Sequence, residues 1–343
     1  MEDQQTHTGD DNDNDDDDVL TKQNIIEIRV DTDFTISGPP LYVLPLSVKG
    51  NKILIGEEPG SLAGNSLFWT NTGWGGERFY NKKLLEWLKS DWKSNLVRAA
   101  MGVELYGGYL QEPQKNKERI TAIVDAAIAN DMYVIIDWHT HYSHQDKAIE
   151  FFEEMAKTYC HTNNVIYEIW NEPKNDVSWK DHVKPYALAV IEAIRAIDQK
   201  NLIVVGTTNW SKDVDVAAAD PVTGFDNIAY ALHFYASSCG HCQELRNKAS
   251  IALEKNVALF VTEWGTVNVN GSGGIATQET NDWFKFMEAN KLSHANWSIS
   301  DKPESVSALK QGVCSNGGWS ENDLTESGKF VRNLIRDWHE KKN

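Results

Sequence analysis

The strongest constraint on this chain is a rhythm. From residue 62 onward, short apolar runs of strand length alternate with segments long enough to be helices. The runs are Ala63–Phe68, Leu96–Met101, Tyr133–Trp138, Val165–Trp170, Leu202–Gly206, Ile228–Phe234, Ala258–Thr262 and Ala295–Trp297 with the residues before it. They are rich in β-branched and aromatic residues, as strands buried on both faces are. Between them, Lys117–Asn130 carries Ile120, Ile123, Val124, Ala127 and Ile128 at three-to-four spacing. His182–Ile197 repeats the pattern, and Ser327–His339 supplies a last amphipathic helix with Phe330, Leu334 and Trp338. Eight strands, each followed by a helix-length connection, predict an α/β chain closed into a (β/α)8 TIM barrel. An open doubly wound sheet is the competitor, but no G-x-G-x-x-G follows the first run.

What precedes the rhythm is of another kind. The formal net charge is −17, and residues 1–18 hold nine acids with no Lys or Arg, which leaves −8 for the rest. Such a balance excludes nucleic acid as the main partner, because a phosphate backbone needs a basic surface. Residues 1–38 read as an acidic, self-repelling linker or tail, disordered at its start. The run Asp11–Asp15 imitates a calcium loop, but the sixth and twelfth positions hold Asp16 and Lys22 where Gly and Glu are needed. Alternation at Ile25, Ile26, Ile28 and Val30 suggests a short strand, and a short N-terminal β-hairpin is expected ahead of the barrel. Gly38-Pro39-Pro40 ends this part, and residues 39–343 are expected to form the barrel. No apolar stretch is long enough to cross a membrane as a helix, and the first residues have neither the basic patch nor the apolar run of a signal peptide.

The four cysteines are too few for a disulfide scaffold. Cys239 and Cys242 form a C-x-x-C, for which a local loop disulfide or two plain thiols is expected rather than a zinc or redox centre. Cys160 and Cys314 are expected at opposite ends of the barrel and unpaired.

In a barrel, polar residues at the C-terminal ends of strands face the active site. Here the second run holds Arg98, the third ends Asp137-Trp138-His139-Thr140-His141, and the fourth ends Trp170-Asn171-Glu172-Pro173. The sixth ends His233-Phe234-Tyr235, the seventh Glu263-Trp264-Gly265, and the eighth Asn296-Trp297-Ser298. Glu172 and Glu263 thus leave two apolar strands, where a carboxylate is costly unless bonded or functional. A carboxyl pair flanking a sugar bond is the minimum equipment of glycoside hydrolysis, one protonated and one ionised. An arginine would keep the nucleophile ionised, and an aromatic surround is expected to raise the acid. Two rim glutamates in salt bridges are the plain alternative. His139-Thr140-His141 also admits a metal-dependent amidohydrolase, though such barrels carry their H-x-H on the first strand.

The runs NLVRAAMG, MYVIIDWHTH, NVIYEIWNEP, VVGTTNWSKDVD, IAYALHFYA, LFVTEWGT, SHANWS and NGGWSENDL, with His182–Ala187, carry a closer likeness. From about Leu41 to Arg336 the chain resembles the catalytic domain of glycoside hydrolase family 5, in its bacterial-type endoglucanase branch. The resemblance implies a retaining endo-β-1,4-glucanase acting on cellulose and soluble β-glucans, with Glu172 as acid/base and Glu263 as nucleophile. It implies that Arg98 and Tyr235 contact the nucleophile, that Asn171 reads the sugar 2-hydroxyl, and that His139 and His233 line the central subsite. Trp297 would lie under the sugar being cleaved, Trp69 and Trp210 would be platforms to either side, and Lys302 with Glu304 would reach the glycone. No metal or cofactor is implied. Mannan, xyloglucan and mixed-linkage glucan are the alternative substrates. The expected protein is a secreted, extracellular monomer with a β-1,4-glucan as its partner, linked at one time to a carbohydrate-binding module.

Two departures and the tryptophans complete the reading. Gly102 stands where some relatives carry a tyrosine facing the site, and the loop after the sixth run holds the C-x-x-C on the active-site side. Of thirteen tryptophans, Trp87, Trp92, Trp283 and Trp338 are expected in the core. Trp69, Trp74, Trp138, Trp210, Trp264 and Trp297 are expected at the cleft, Trp138 and Trp264 as support, since an indole face matches the apolar face of a sugar.

Overall fold

The structure is a computed structural model and describes residues 43–340. The acidic tail, its calcium-like run and the alternation at Ile25–Val30 lie outside the described residues. Leu41–Asn343 forms one compact unit. It opens with an antiparallel sheet of β1 (Leu46–Lys49), β2 (Lys52–Ile55) and β3 (Glu58–Pro59). The expected hairpin is present, turned at Gly50 with φ +63°, and a third short strand is added.

Eight parallel strands follow. They are β4 (Ala63–Leu67), β5 (Leu96–Gly102), β6 (Tyr133–His139), β7 (Val165–Glu168), β8 (Ile203–Val205), β9 (Ile228–Tyr235), β10 (Leu259–Gly265) and β11 (His294–Ile299). Pairing of β11 with β4 closes the ring, so the chain builds the (β/α)8 barrel that its rhythm predicts. Of the expected helices, the first begins at Pro113 rather than Lys117, because proline in the first turn loses no helical hydrogen bond. The second runs Lys184–Arg195 after a π turn at Trp179–Val183, and the last is Glu326–Glu340.

Side chains alternate along each strand between the barrel interior and the helix layer. Val97, Ala99 and Met101 of β5 join the core beneath the helices, and Leu96 packs inside the barrel. Tyr133, Ile135, Ile166, Val204, Ala231, Phe260 and Ala295 complete that inner layer, which Leu46 and Ile53 of the hairpin cover from below. Each large aliphatic side chain so buried stabilises the fold by about 1.5–3 kcal/mol. The hairpin is fixed by hydrogen bonds from Tyr133 Oη to the Leu44 carbonyl (2.7 Å) and from the Val48 amide to Asn227 Oδ1 (3.0 Å).

Followed upward, the same inward rows turn polar. They place Arg98, Asp137, His139, Glu168, His233, Tyr235 and Trp297 in the upper half of the barrel, all buried. Trp138 and Trp264 fall on the outward rows and lie wholly in the packed core, so they support the cleft without lining it. Trp92, Trp283 and Trp338 are core residues as expected, and Trp87 is half-buried against the same core.

Candidate active site

Strict alternation would turn Glu263 towards the helices. Between Phe260 and Glu263 the pairing of β10 with β9 shifts register, so that Glu263 comes opposite His233. A bulge of this kind re-aims a side chain. Thr262 and Glu263 both point into the barrel here, Thr262 bonding Glu168 and Glu263 bonding Arg98.

Arg98 is the hub. Its Nη1 donates to Glu263 Oε2 (2.9 Å), its Nε and Nη2 to the two oxygens of Glu168 (2.7 and 3.2 Å), and its Nη2 also to Asn171 Oδ1 (2.6 Å). Asp137 Oδ2 lies 3.0 Å from Nη2. Tyr235 Oη donates to the other oxygen of Glu263 (2.7 Å). Burial and the Glu263 charge raise that phenol well above its usual value, so it stays a donor. Glu263 is therefore held on both oxygens, by a guanidinium and by a phenol. Asn171 Nδ2 is buried and has no hydrogen-bond partner among the described residues.

Glu172 lies just past the end of β7. His233 Nδ1 donates to its Oε1 (2.9 Å) and His141 Nε2 to its Oε2 (3.2 Å). His233 Nε2 reaches Thr262 Oγ1 (2.9 Å), which donates to Glu168 Oε1 (2.7 Å). Burial works against the charge of His233, but Glu168, 3.6 Å from Nε2, and the bond to Glu172 prevail and lift its pKa to about 9. Burial would likewise raise Glu172, yet the hydrogen bonds and charges of His141 and His233 outweigh it and hold the carboxyl below its ordinary range. This corrects the sequence expectation of an acid raised by an aromatic surround: its neighbours are imidazoles. Glu168 is also held low, Arg98 and His233 overcoming the effect of burial. Burial lifts Asp137 well above the carboxylate range, and the pull of Arg98 does not cancel it.

Oxygens of Glu172 and Glu263 lie within 4.8 Å of each other across a cavity of about 660 Å³. Trp210 stands at its mouth, carried by three left-handed residues, Asn209, Trp210 and Ser211 (φ +59°, +58° and +54°). Each such residue costs about 1–2 kcal/mol. The Trp210 amide bonds the Pro173 carbonyl (2.8 Å) and Ser211 Oγ the Asn171 carbonyl (2.7 Å), so this loop is tied to the one bearing Glu172.

On the other side the rings of Trp297, His139 and Trp69 follow one another, stacked at 5.1 Å and then edge-on at 4.3 Å. Trp74 adjoins Trp69 at 5.5 Å. His139 Nδ1 and Asp137 Oδ2 share a hydrogen bond (2.6 Å), and burial with the Arg98 charge depresses the histidine pKa to about 3, so the ring is neutral. Lys302 pairs with Glu304 (2.8 Å) and lies over Phe68, which packs on Trp297. A Cβ on Gly102 would sit 1.7 Å from Asn71 Oδ1, so Asn71 occupies the space that a side chain there would need.

All the residues nominated from the strand ends thus gather at one end of the barrel. Sequence reasoning gave no role to Glu168, Asp137, Thr262 or His141. The first three lie on inward rows that alternation along β6, β7 and β10 points to. The sequence offers His141 only as half of a metal motif. The two histidines of that motif are engaged separately, with Asp137 and Glu172, and neither belongs to the trio of donors, Glu172, His233 and Glu263, that approach one another. The amidohydrolase alternative has no support from this arrangement. All four cysteines are free thiols, so Cys239 and Cys242 form no loop disulfide and Cys160 is not joined to Cys314.

A profile of the cellulases of glycosyl hydrolase family 5 matches residues 50–303. The chain belongs to this family. Proteins similar to it include Endoglucanase Z of Dickeya dadantii (strain 3937), 55% identical over 298 residues that make up 86% of this chain and 67% of that protein. An endoglucanase of Clostridium saccharobutylicum is 45% identical over 262 residues, 75% of this chain and 58% of that one. The chain therefore spans about two thirds or less of the length of these relatives. Among solved structures, one from Cytophaga hutchinsonii superposes with a TM-score of 0.84 at 46% identity, covering 88% of this chain and 97% of that chain. The catalytic domain of Thermobifida fusca endoglucanase Cel5A gives 0.78 at 33% identity, covering 85% and 97%. This family 5 chain is accordingly a glycoside hydrolase.

Proposed function

We propose that this family 5 hydrolase is a retaining endo-β-1,4-glucanase that cuts internal bonds of cellulose and soluble β-glucans by double displacement. The observation that carries the reading is the approach of Glu172 and Glu263 to within 4.8 Å. Retaining enzymes hold their carboxyl groups roughly 5–5.5 Å apart, whereas inverting enzymes leave roughly 6.5–9.5 Å for a water.

Glu263, held in place by Arg98 and Tyr235, attacks the anomeric carbon as Glu172 protonates the departing oxygen. Glu172 then takes a proton from the incoming water, which releases the sugar from Glu263. Asn171, anchored through Oδ1, turns a free amide towards the sugar 2-hydroxyl, a bond that strengthens at the transition state. His139 and Trp297 floor the central subsite, Trp69 and Trp210 extend it to either side, and Lys302 with Glu304 meets the glycone. The names of the relatives favour a β-1,4-glucan over mannan or xyloglucan.

We place the catalytic barrel at residues 39–343 and the acidic segment 1–38 as a linker, joined at one time to a carbohydrate-binding module. A polymer too large to enter a cell calls for an extracellular enzyme, and a single barrel with its own complete site calls for a monomer. No helix among the described residues is long and apolar enough to cross a membrane. The test is hydrolysis of carboxymethylcellulose, mannan, xyloglucan and mixed-linkage glucan, following viscosity and product length. Carboxymethylcellulose should thin rapidly and yield short cello-oligosaccharides. Cleavage of mannan alone would overturn the substrate assignment.

A further inference from the structure

Glu172 presents a difficulty for an acid. Both of its oxygens are occupied by histidines, and a carboxylate held low has little proton to offer a leaving group near neutral pH. The two histidines differ in place. His233 is 1% exposed, with its far nitrogen on Thr262. The His141 side chain is 31% exposed, lines the cleft, and stands 6.0 Å from the Trp69 ring. Of the two, His141 is the one that meets both solvent and Glu172 Oε2.

Resting on the assignment of Glu172 as acid/base, we infer that His141 is a positioning residue that stores the catalytic proton and exchanges it with Glu172 Oε2. In the first step the proton leaves His141 Nε2 for Oε2 and passes on to the glycosidic oxygen. The C1–O bond breaks, and Glu263 forms its ester with C1. Imidazole and Glu172 carboxylate remain. In the second step water adds to C1 and the ester breaks. A water proton goes to Oε2 and on to Nε2, which restores the imidazolium.

The surroundings favour an imidazolium at rest. The groups facing the pair are Glu104 and His144 in the loops after β5 and β6, and His139 on β6. Beyond these are Lys212 after β8, His233 and Tyr235 on β9, His241 after β9, and Glu263 on β10. Glu104 is kept in place by Thr140, the Tyr142 amide (3.3 Å) and His144 (3.1 Å). Burial lowers His141, but its bond to Glu172 and the charges of Glu172, Glu104 and Glu263 prevail and raise it. One proton shared by two groups is lost as a property of the pair, so the alkaline limit of activity follows the histidine rather than the carboxyl alone.

His141→Gln keeps an N–H for Oε2 but carries no transferable proton. It is to be compared with wild type on cellotetraose, whose leaving group needs protonation, and on 2,4-dinitrophenyl cellobioside, whose leaving group does not. On cellotetraose, kcat/KM should fall about ten- to a hundredfold, with the alkaline limb moved to lower pH. On the dinitrophenyl substrate the loss should stay under about threefold, which also reports a folded site. Equal losses on both substrates, or an unmoved alkaline limb, would overturn the inference. A wild type inactive on both substrates would overturn the endoglucanase assignment itself, and the inference with it.

Discussion

Glu263→Ala should lower kcat/KM on a soluble glucan by at least about a thousandfold, because no other group can form the glycosyl ester. That loss corresponds to about 4 kcal/mol of transition-state stabilisation. The side chain is only 6% exposed and bonded to Arg98 and Tyr235, so its removal opens a small cavity beside a cation. Azide should enter that cavity and restore turnover of an activated aryl cellobioside, giving the α-glycosyl azide. A β-glycosyl azide, or activity within tenfold of wild type, would place the nucleophile elsewhere.

Arg98→Met should be the most destabilising single change at the site. Arg98 is fully buried and spends its guanidinium on Glu263, Glu168 and Asn171, with Asp137 alongside. Removing it strands the carboxyl groups of Glu168 and Glu263 in the barrel, and breaking a buried pair in this way costs about 3–5 kcal/mol. Urea denaturation should register the loss, together with near-complete inactivation. Adding Glu168→Gln should recover part of the stability and none of the activity, since it removes one stranded charge and leaves Glu263 without its partner. A loss below about 1 kcal/mol in the single variant would show that the network is far better solvated than its burial implies.

Much of this was legible before the structure. Strand-length runs separated by helical periodicity lead to a closed barrel, and the barrel rule leads to Glu172, Glu263 and Arg98. Period-two alternation, applied to β6 and β7, would also have led to Asp137 and Glu168, and would have sent Trp138 to the helix side. Three features lay beyond such reasoning. The register shift that turns Glu263 inward depends on pairing with β9, which no local pattern encodes. The left-handed turn that presents Trp210 is formed by Asn, Trp and Ser, with no glycine to announce it. The clamp on Glu172 is made by His141 from the loop after β6 and His233 from β9, residues that only the closed ring brings together. For the same reason the environment of the acid was misjudged, since its neighbours along the chain are aromatic and its neighbours in space are histidines.

Proton NMR of the reducing end first released from cellotetraose tests the central claim most directly, because it reads the geometry of Glu172 and Glu263 in the product. Two displacements on one carbon should release the β-anomer, with the α-anomer growing in only by mutarotation. Initial release of the α-anomer would mean a single displacement by water, and would contradict the account.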